Sequence, residues 1–140
     1  MKDLAQFLKV LADEARLEIL WLLFNHEELC VCDLMEALEM TQSKTSRHLA
    51  TLRHAGLVVD RKEAAWSYYS LRQSESEVER NLLEALRAEL GRHRGAARVL
   101  QRHRAHMAKK RGNGRCVVTR TRADARPRAK DRGPLRGTTR

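Results

Sequence analysis

The chain contains no run of about eighteen apolar residues, so the sequence predicts no membrane-spanning helix. Its first residues, Met1 to Leu4, lack the apolar centre of a secretory signal peptide. Both absences predict a cytoplasmic protein with no membrane partner. In that compartment the 3 cysteines are expected to stay reduced.

Signatures of catalysis are also missing. The sequence shows no recognisable nucleophile–base pair, glycine-rich phosphate loop or open metal site. Cys30 and Cys32 are separated by one residue, unlike the Cys-x-x-Cys motif of thiol oxidoreductases, and so short a ring suits a disulfide poorly. We therefore expect a protein that is not an enzyme and requires no cofactor.

Charge is divided unevenly along the chain. Residues 1–90 hold 11 Lys and Arg against 16 Asp and Glu, a net charge of −5, whereas residues 91–140 hold 17 against 2, a net charge of +15. This division predicts a domain over residues 1–91 and an Arg-rich extension over residues 92–140, helical at most in part between Arg98 and Lys110 and otherwise disordered. Such an extension is also able to bind nucleic acid non-specifically. Among its arginines, His93, His103 and His106 are expected to be solvated.

Apolar periodicity predicts a mainly α-helical first domain. Helices are expected near residues 4–11 and 13–24, from Val31 to Glu39, from Gln42 to His54 and from Val78 to Leu90. Thr41 suits the N-cap of the fourth helix, and Gly56 suits the left-handed residue that follows it. Residues 57–61 and 66–71 are typical of strands joined by a turn. About five helices and one β-hairpin in this order predict a winged helix-turn-helix.

The helix from Gln42 to His54 carries the features of a DNA-reading helix. At about 100° per residue, Thr45, Leu49 and Leu52 share one side, which is therefore expected to be buried. The opposite side carries donors and acceptors but no acidic residue: Ser43, Lys44, Arg47, Thr51 and His54. Side chains of these types reach base edges and phosphates, and such helices read DNA with their first residues.

Three stretches of the chain resemble the ArsR-type family of metalloregulatory repressors. They are residues 11–20, residues 28–34 with Cys30 and Cys32, and residues 46–58. The middle stretch is similar to the metalloid-binding motif of the arsenic-responsive branch. The resemblance implies a homodimer whose first and last helices pack across a two-fold axis, and a repressor that leaves its operator when ligand binds. It also implies that Gln42, Ser43, Ser46, Arg47 and His48 lie in the operator-contacting region.

Soft thiolates favour arsenite, antimonite or other thiophilic ions over Mg²⁺ or Ca²⁺. In a regular helix, residues two apart point to nearly opposite sides, so Cys30 and Cys32 reach one atom only where the helix start is non-helical or unwound. We hypothesise that ligand binding distorts the turn around Val31, displaces this short helix and shifts the recognition helix packed on it. The alternative is that both cysteines are small buried hydrophobic residues.

Two positions depart from the family pattern. A third cysteine often stands where this chain has Met35, so Cys116, a solvent or buffer thiol, or no group at all would complete the ligand set. Relatives commonly have glycine where this chain has Ala64, so the wing turn is expected to differ or to carry strain. That leaves open whether Arg61 and Lys62 contact DNA.

The same residues are also compatible with other functions. A cadmium, lead or bismuth sensor of the same family would share the Cys-x-Cys element, although the cadmium/lead branch adds cysteines from an amino-terminal extension. A redox sensor would be released by oxidation of Cys30 or Cys32 without metalloid. A constitutive DNA-binding protein driven by its tail would show weak sequence preference and steep salt dependence.

Overall fold

The computed structural model describes residues 1–112. Its elements, in chain order, are α1 Lys2–Leu11, α2 Glu14–Asn25, β1 Leu29–Cys30, α3 Val31–Leu38, α4 Gln42–His54, β2 Val58–Glu63, β3 Trp66–Leu71, α5 Glu77–Arg92 and α6 Arg94–Gly112. The winged helix-turn-helix expected from the sequence is confirmed: α3 and α4 form the motif, and β2 and β3 form the wing. Strand β1 was not expected, and α6 extends the helical stretch expected between Arg98 and Lys110 to Arg94–Gly112.

Local chemistry sets the start of α2 and both ends of α4. The Asp13 carboxylate accepts a hydrogen bond from the Arg16 amide at 3.0 Å and so caps α2. The Thr41 hydroxyl accepts one from the Lys44 amide at 3.3 Å and caps α4. After α4, Gly56 takes φ +74°, the left-handed conformation expected of it.

A three-stranded antiparallel sheet lies beside the helices in the order β1-β3-β2. In the wing, Val58 is opposite Leu71 and Glu63 is opposite Trp66, so β2 runs two residues beyond the expected end. The turn consists of Ala64 and Ala65, and Ala64 has φ +53°. An L-residue with a β-carbon is strained there, which confirms the expected consequence of lacking glycine at this position.

The core lies between α2, α3, α4 and the base of the wing. The side chains buried most completely there are Ile19, Leu20, Leu22, Leu23, Leu29, Leu34, Leu49, Leu52 and Val58. Thr45, Leu49 and Leu52 are fully buried, so the expected orientation of α4 is confirmed. Burial of large apolar side chains at about 25 cal/mol per Å² is the main term that holds α4 against the motif.

Helix α6 packs across α3 and also contacts α2 and α5. Val99 joins the main core, and Ala96 and Met107 are buried on the same side of α6. The expectation that His103 and His106 are solvated is wrong: His103 is 2% exposed, and His106 contacts Asp33. Only His93 of the three is exposed. The division of the chain into domains 1–91 and 92–140 stays a prediction.

Apolar side chains remain exposed on α1 and α5. Leu4 and Leu8 are 45% and 46% exposed on α1, and Val78 is 56% exposed on α5. Helix α5 has no fully buried residue, although Leu82 and Leu86 pack against the core in part. Within residues 1–112, none of the helices has the length and apolarity needed to cross a membrane.

Candidate thiol site and DNA-reading surface

Cys30 lies at the junction of β1 and α3. It pairs with Tyr68 across the sheet and is the N-cap of α3, with φ −80° and ψ 160°. The backbone at Cys30 is therefore extended and not helical. Cys30 and Cys32 need such a non-helical start of α3 if both sulfurs are to reach one atom. The Cys30 side chain is completely buried.

Cys32 lies in the first turn of α3 and is half-buried, so the two thiols differ in access to solvent. Met35 is half-buried on the same helix. Within residues 1–112, no three His, Cys, Asp or Glu side chains are arranged to hold a metal ion. Cys116, the tentative third ligand, lies outside the described residues.

Asp33 is at the centre of a buried polar cluster beside Cys30. The Cys30 thiol donates to Oδ2 of Asp33 at 3.0 Å, and the Cys30 amide donates to the same oxygen at 3.4 Å. On Oδ1, Lys110 Nζ donates at 2.6 Å and His106 Nε2 lies at 3.1 Å. Lys110 Nζ also lies 3.6 Å from Cys30 Sγ. The cluster therefore joins α6 to the first turn of α3.

This environment keeps the Cys30 thiol protonated. Burial, followed by the hydrogen bond to Asp33, raises the pKa of Cys30 to about 12. Burial opposes the charged form of Asp33, but hydrogen bonds from Lys110 and Cys30 outweigh it, so the pKa of Asp33 lies below its usual value. At neutral pH the site thus holds a thiol, a carboxylate and an ammonium group in contact.

A second buried pair lies next to this cluster. The rings of His26 and His103 are edge to face, with centroids 4.2 Å apart. Nδ1 of His26 donates to the Leu22 carbonyl at 2.8 Å, whereas both ring nitrogens of His103 are buried without a hydrogen-bond partner. Burial, followed by the neighbouring His26, lowers the pKa of His103 to about 4, so this ring is neutral at neutral pH. A cavity of about 380 Å³ opens beside the pair.

The outer side of α4 is open to solvent. Most of the residues expected to contact DNA are exposed there: Gln42, Ser43, Lys44, Ser46 and Arg47. His48 differs, because it is half-buried with Nδ1 3.7 Å from the Asp13 carboxylate. Its position favours a role in joining α4 to the start of α2.

The wing residues have different surroundings. Arg61 forms a two-point ion pair with Glu28, with Nε 2.8 Å from Oε2, and a second pair with Glu63 at 2.7 Å. Its guanidinium carbon also lies 4.5 Å from the centre of the Tyr68 ring. Lys62 is exposed on the wing. A DNA contact by Arg61 would have to compete with two carboxylates.

Sequence reasoning assigned no role to Asp33, His106 or Lys110. The acidic residue at the third position of α3 is a capping signal, and one apolar and polar stripe runs along α6 at helical spacing: Ala96, Val99, His103, His106, Met107 and Lys110. That stripe could have indicated a docked face. The arginines between its members hid the pattern.

Comparison with known proteins identifies the motif. Residues 13–59 match the family described as bacterial regulatory protein, arsR family. The chain is 56% identical over 66 residues to the arsenical resistance operon repressor of Escherichia coli (strain K12), covering 47% of this chain and 56% of that protein. It is 44% identical over 75 residues to the arsenical resistance operon repressor of Bacillus subtilis (strain 168), covering 54% and 71%.

Solved structures agree with the fold. Reduced HlyU from Vibrio cholerae N16961 is 43% identical with a TM-score of 0.51, covering 61% of this chain and 88% of that one. A homodimeric winged helix-turn-helix domain from Mycobacterium bovis, a possible ArsR-family regulator, is 28% identical with a TM-score of 0.52, covering 66% and 82%. Against the E. coli repressor and the arsenic regulator ArsR1 of Pseudomonas putida, the chain spans only about half of the relative's length, 56% and 49%.

Proposed function

Because the chain belongs to the ArsR family of bacterial regulatory proteins, we propose that it is an arsenite- or antimonite-responsive transcriptional repressor. In this proposal it binds operator DNA as a homodimer and leaves it when the metalloid bridges Cys30 and Cys32. The family's members are regulators rather than enzymes. The observation that carries the proposal is the extended backbone of Cys30 directly before a first turn that holds Cys32.

The chemistry of trivalent arsenic suits two thiols on a distorted helix start. Each thiol that binds arsenous acid forms one sulfur–arsenic bond, and its proton leaves with a hydroxide as water. Two cysteines thus leave one hydroxide on arsenic, which Cys116 or a small thiol is able to replace. Soft thiol sulfur also favours arsenite over hard cations, so no resident cofactor is needed.

The response would travel through the packing of α3 on α4. Leu34 and Leu38 of α3 belong to the same core as Leu49 and Leu52 of α4. Drawing Cys30 and Cys32 onto one atom changes the first turn of α3, and the close-packed core passes that change to α4. A coupling of about 1–3 kcal/mol between the two sites would weaken operator binding about 5- to 150-fold.

Operator contact would use the exposed side of α4, with Lys62 and Arg61 on the wing. Two such helices are needed to read two half-sites, and the exposed leucines of α1 together with α5 supply an apolar surface for the dimer. The homodimeric M. bovis domain supports this assembly. A repressor of this kind acts in the cytoplasm, where its cysteines stay reduced.

Operator release by arsenite tests the proposal. Fluorescence anisotropy of an operator fragment would be measured with and without arsenite for the intact chain, Cys30→Ser, Cys32→Ser and Cys116→Ser. We expect arsenite to release the intact chain from DNA but to release neither Cys30→Ser nor Cys32→Ser. Without arsenite, all three proteins should bind DNA equally. The Cys116 variant decides whether that thiol completes the ligand set.

Two further titrations separate the alternatives. Release by cadmium or lead at lower concentration than by arsenite would assign the chain to a different effector. Release by peroxide without metalloid would indicate a redox sensor. Sequence-specific binding that no arsenite concentration reverses would contradict the proposed effector while leaving the DNA-binding role intact.

A further inference from the structure

We propose that α6 is a cover over Cys30, and that its carboxyl-terminal half must leave α3 before an effector reaches this thiol. The inference rests on the proposed function in one respect, because it takes Cys30 to be an effector ligand. It assigns regulation of that site to residues 103–110, which lie outside the matched segment at residues 13–59.

The burial of the two cysteines is the first observation. Cys30 is completely buried, whereas Cys32, two residues later, is half-buried. An effector arriving from solvent therefore has access to one thiol of the pair. Lys110 of α6 contacts both Cys30 Sγ and the Asp33 carboxylate beside it, so α6 lies against the buried thiol.

The polar contacts of Lys110 and His106 with Asp33, called the latch below, hold α6 against α3. Lys110 lies 2.6 Å from Asp33, and His106 lies 3.1 Å from the same oxygen one helical turn earlier. Farther along, Arg102 pairs with Glu39 at 3.4 Å. The first two contacts end on the residue that also holds the Cys30 thiol. Opening α6 therefore removes Lys110 from Asp33 and from Cys30 together.

The apolar part of the same contact explains why the cover is able to open. Val99 and Met107 are buried and favour the closed arrangement. Between them, His103 buries both ring nitrogens without a partner, which opposes it because buried polar groups lose their hydrogen bonds to water. Undocking of residues 103–110 returns those nitrogens to water. The segment of α6 that holds Asp33 therefore also contains buried polar atoms that gain hydrogen bonds when it opens.

An order of events follows. Arsenite first forms one bond to the accessible Cys32, with loss of water, and the second bond to Cys30 forms when α6 opens. The apparent affinity for arsenite is then the intrinsic affinity multiplied by the fraction of molecules in which α6 is open. Loosening the latch is expected to raise both the affinity and the rate of the second step.

The test uses the reactivity of Cys30 in the full chain with the other thiols removed, Cys32→Ser and Cys116→Ser. Labelling by the neutral disulfide reagent dithiodipyridine would be followed in this background, alone and with Lys110→Met, His106→Gln or the matched control Lys109→Met, an exposed neighbour. We expect Lys110→Met to label about tenfold or more faster, His106→Gln faster by a smaller factor, and Lys109→Met unchanged.

The direction of the change separates a cover from a purely electrostatic role. Lys110 favours the thiolate of Cys30, so loss of its charge without opening would slow labelling. An unchanged or slower rate in Lys110→Met, with a helical circular dichroism spectrum like that of the parent, would overturn the proposal. This result does not depend on arsenite, so it stands apart from any failure of the proposed effector.

Hydrogen exchange of the unmodified chain gives a second measurement that needs no variant. Without arsenite, amides of residues 103–110 should exchange through local opening and therefore faster than the core amides of α2. Equal protection of the two segments would contradict the cover even if every substituted chain failed to fold.

Discussion

The DNA-reading helix and the thiol site lie on adjacent helices of one motif, yet they meet solvent in opposite ways. Ser43, Lys44 and Arg47 are exposed on α4, whereas Cys30 at the start of α3 is completely buried beneath α6. In the proposed function the exposed side of α4 binds DNA without rearrangement, whereas Cys30 reaches the effector only after α6 opens. The effector then has to supply the free energy of that opening.

Replacement of Asp33, on the buried side of this comparison, should have the largest effect on the free energy of unfolding. In Asp33→Asn the half-buried Lys110 loses the carboxylate 2.6 Å from its ammonium group, and removing one partner of a largely buried ion pair is costly. We expect the free energy of unfolding, from urea denaturation, to fall by about 3 kcal/mol.

Asp60→Asn is the matched control, because Asp60 pairs with Arg53 at 3.4 Å in a more exposed place. Its loss should stay below about 1 kcal/mol. Equal losses for the two variants would mean that Asp33 does not join α6 to α3 in solution.

Acidification should lower the free energy of unfolding through protonation of His103, which is buried next to the Cys30 cluster. An unfolded histidine titrates near pH 6.5, whereas burial holds the pKa of His103 at about 4, so the unfolded chain binds the extra proton between these values. Stability is therefore present above about pH 6.5 and declines as the pH falls to about 4, by up to about 3 kcal/mol from this group.

Urea denaturation at several pH values would measure this slope. His103→Phe removes the titrating group and should flatten it, whereas His93→Gln, at an exposed position, should leave it unchanged. An identical slope in His103→Phe would show that other groups carry the acid sensitivity.

The reading side is probed by Arg47→Ala, which removes an exposed guanidinium without touching the core. We expect operator affinity to fall about 5- to 150-fold, since one good base or phosphate contact contributes about 1–3 kcal/mol. Arg104→Ala removes an arginine that is exposed on α6 and should change sequence-specific affinity little. Anisotropy with operator and scrambled DNA distinguishes the two, and equal losses would indicate that α4 is not the reading surface.

The smallest expected effect is a gain in stability at the wing turn. Ala64 has φ +53°, so Ala64→Gly relieves backbone strain that exceeds the added freedom of glycine in the unfolded chain. The melting temperature should rise by an amount that corresponds to about 0.5–1 kcal/mol. Ala65→Gly, at a position without positive φ, should lower it; a rise in both would rule out strain at Ala64 as the cause.

Local signals were sufficient for most of the motif. Thr41 and Gly56 bracket α4, and the spacing of Thr45, Leu49 and Leu52 predicted its buried side, all as observed. Strand β1 escaped notice because Leu29 and Cys30 are too few residues to show a period, and they become a strand only by pairing with β3.

The sequence alone determined the elements of the winged helix-turn-helix and placed Cys30 and Cys32 at the start of α3, because caps, turns and apolar spacing act within about ten residues of chain. Tertiary structure decided what surrounds Cys30. Lys110 and His106 are separated from Asp33 by more than seventy residues, and His103 is buried because α2 and α3 form the surface that receives it. The arginine-rich composition predicted that His103 and His106 are solvated. Both lie instead on the side of α6 that packs against the protein, while most of the arginines occupy its exposed side.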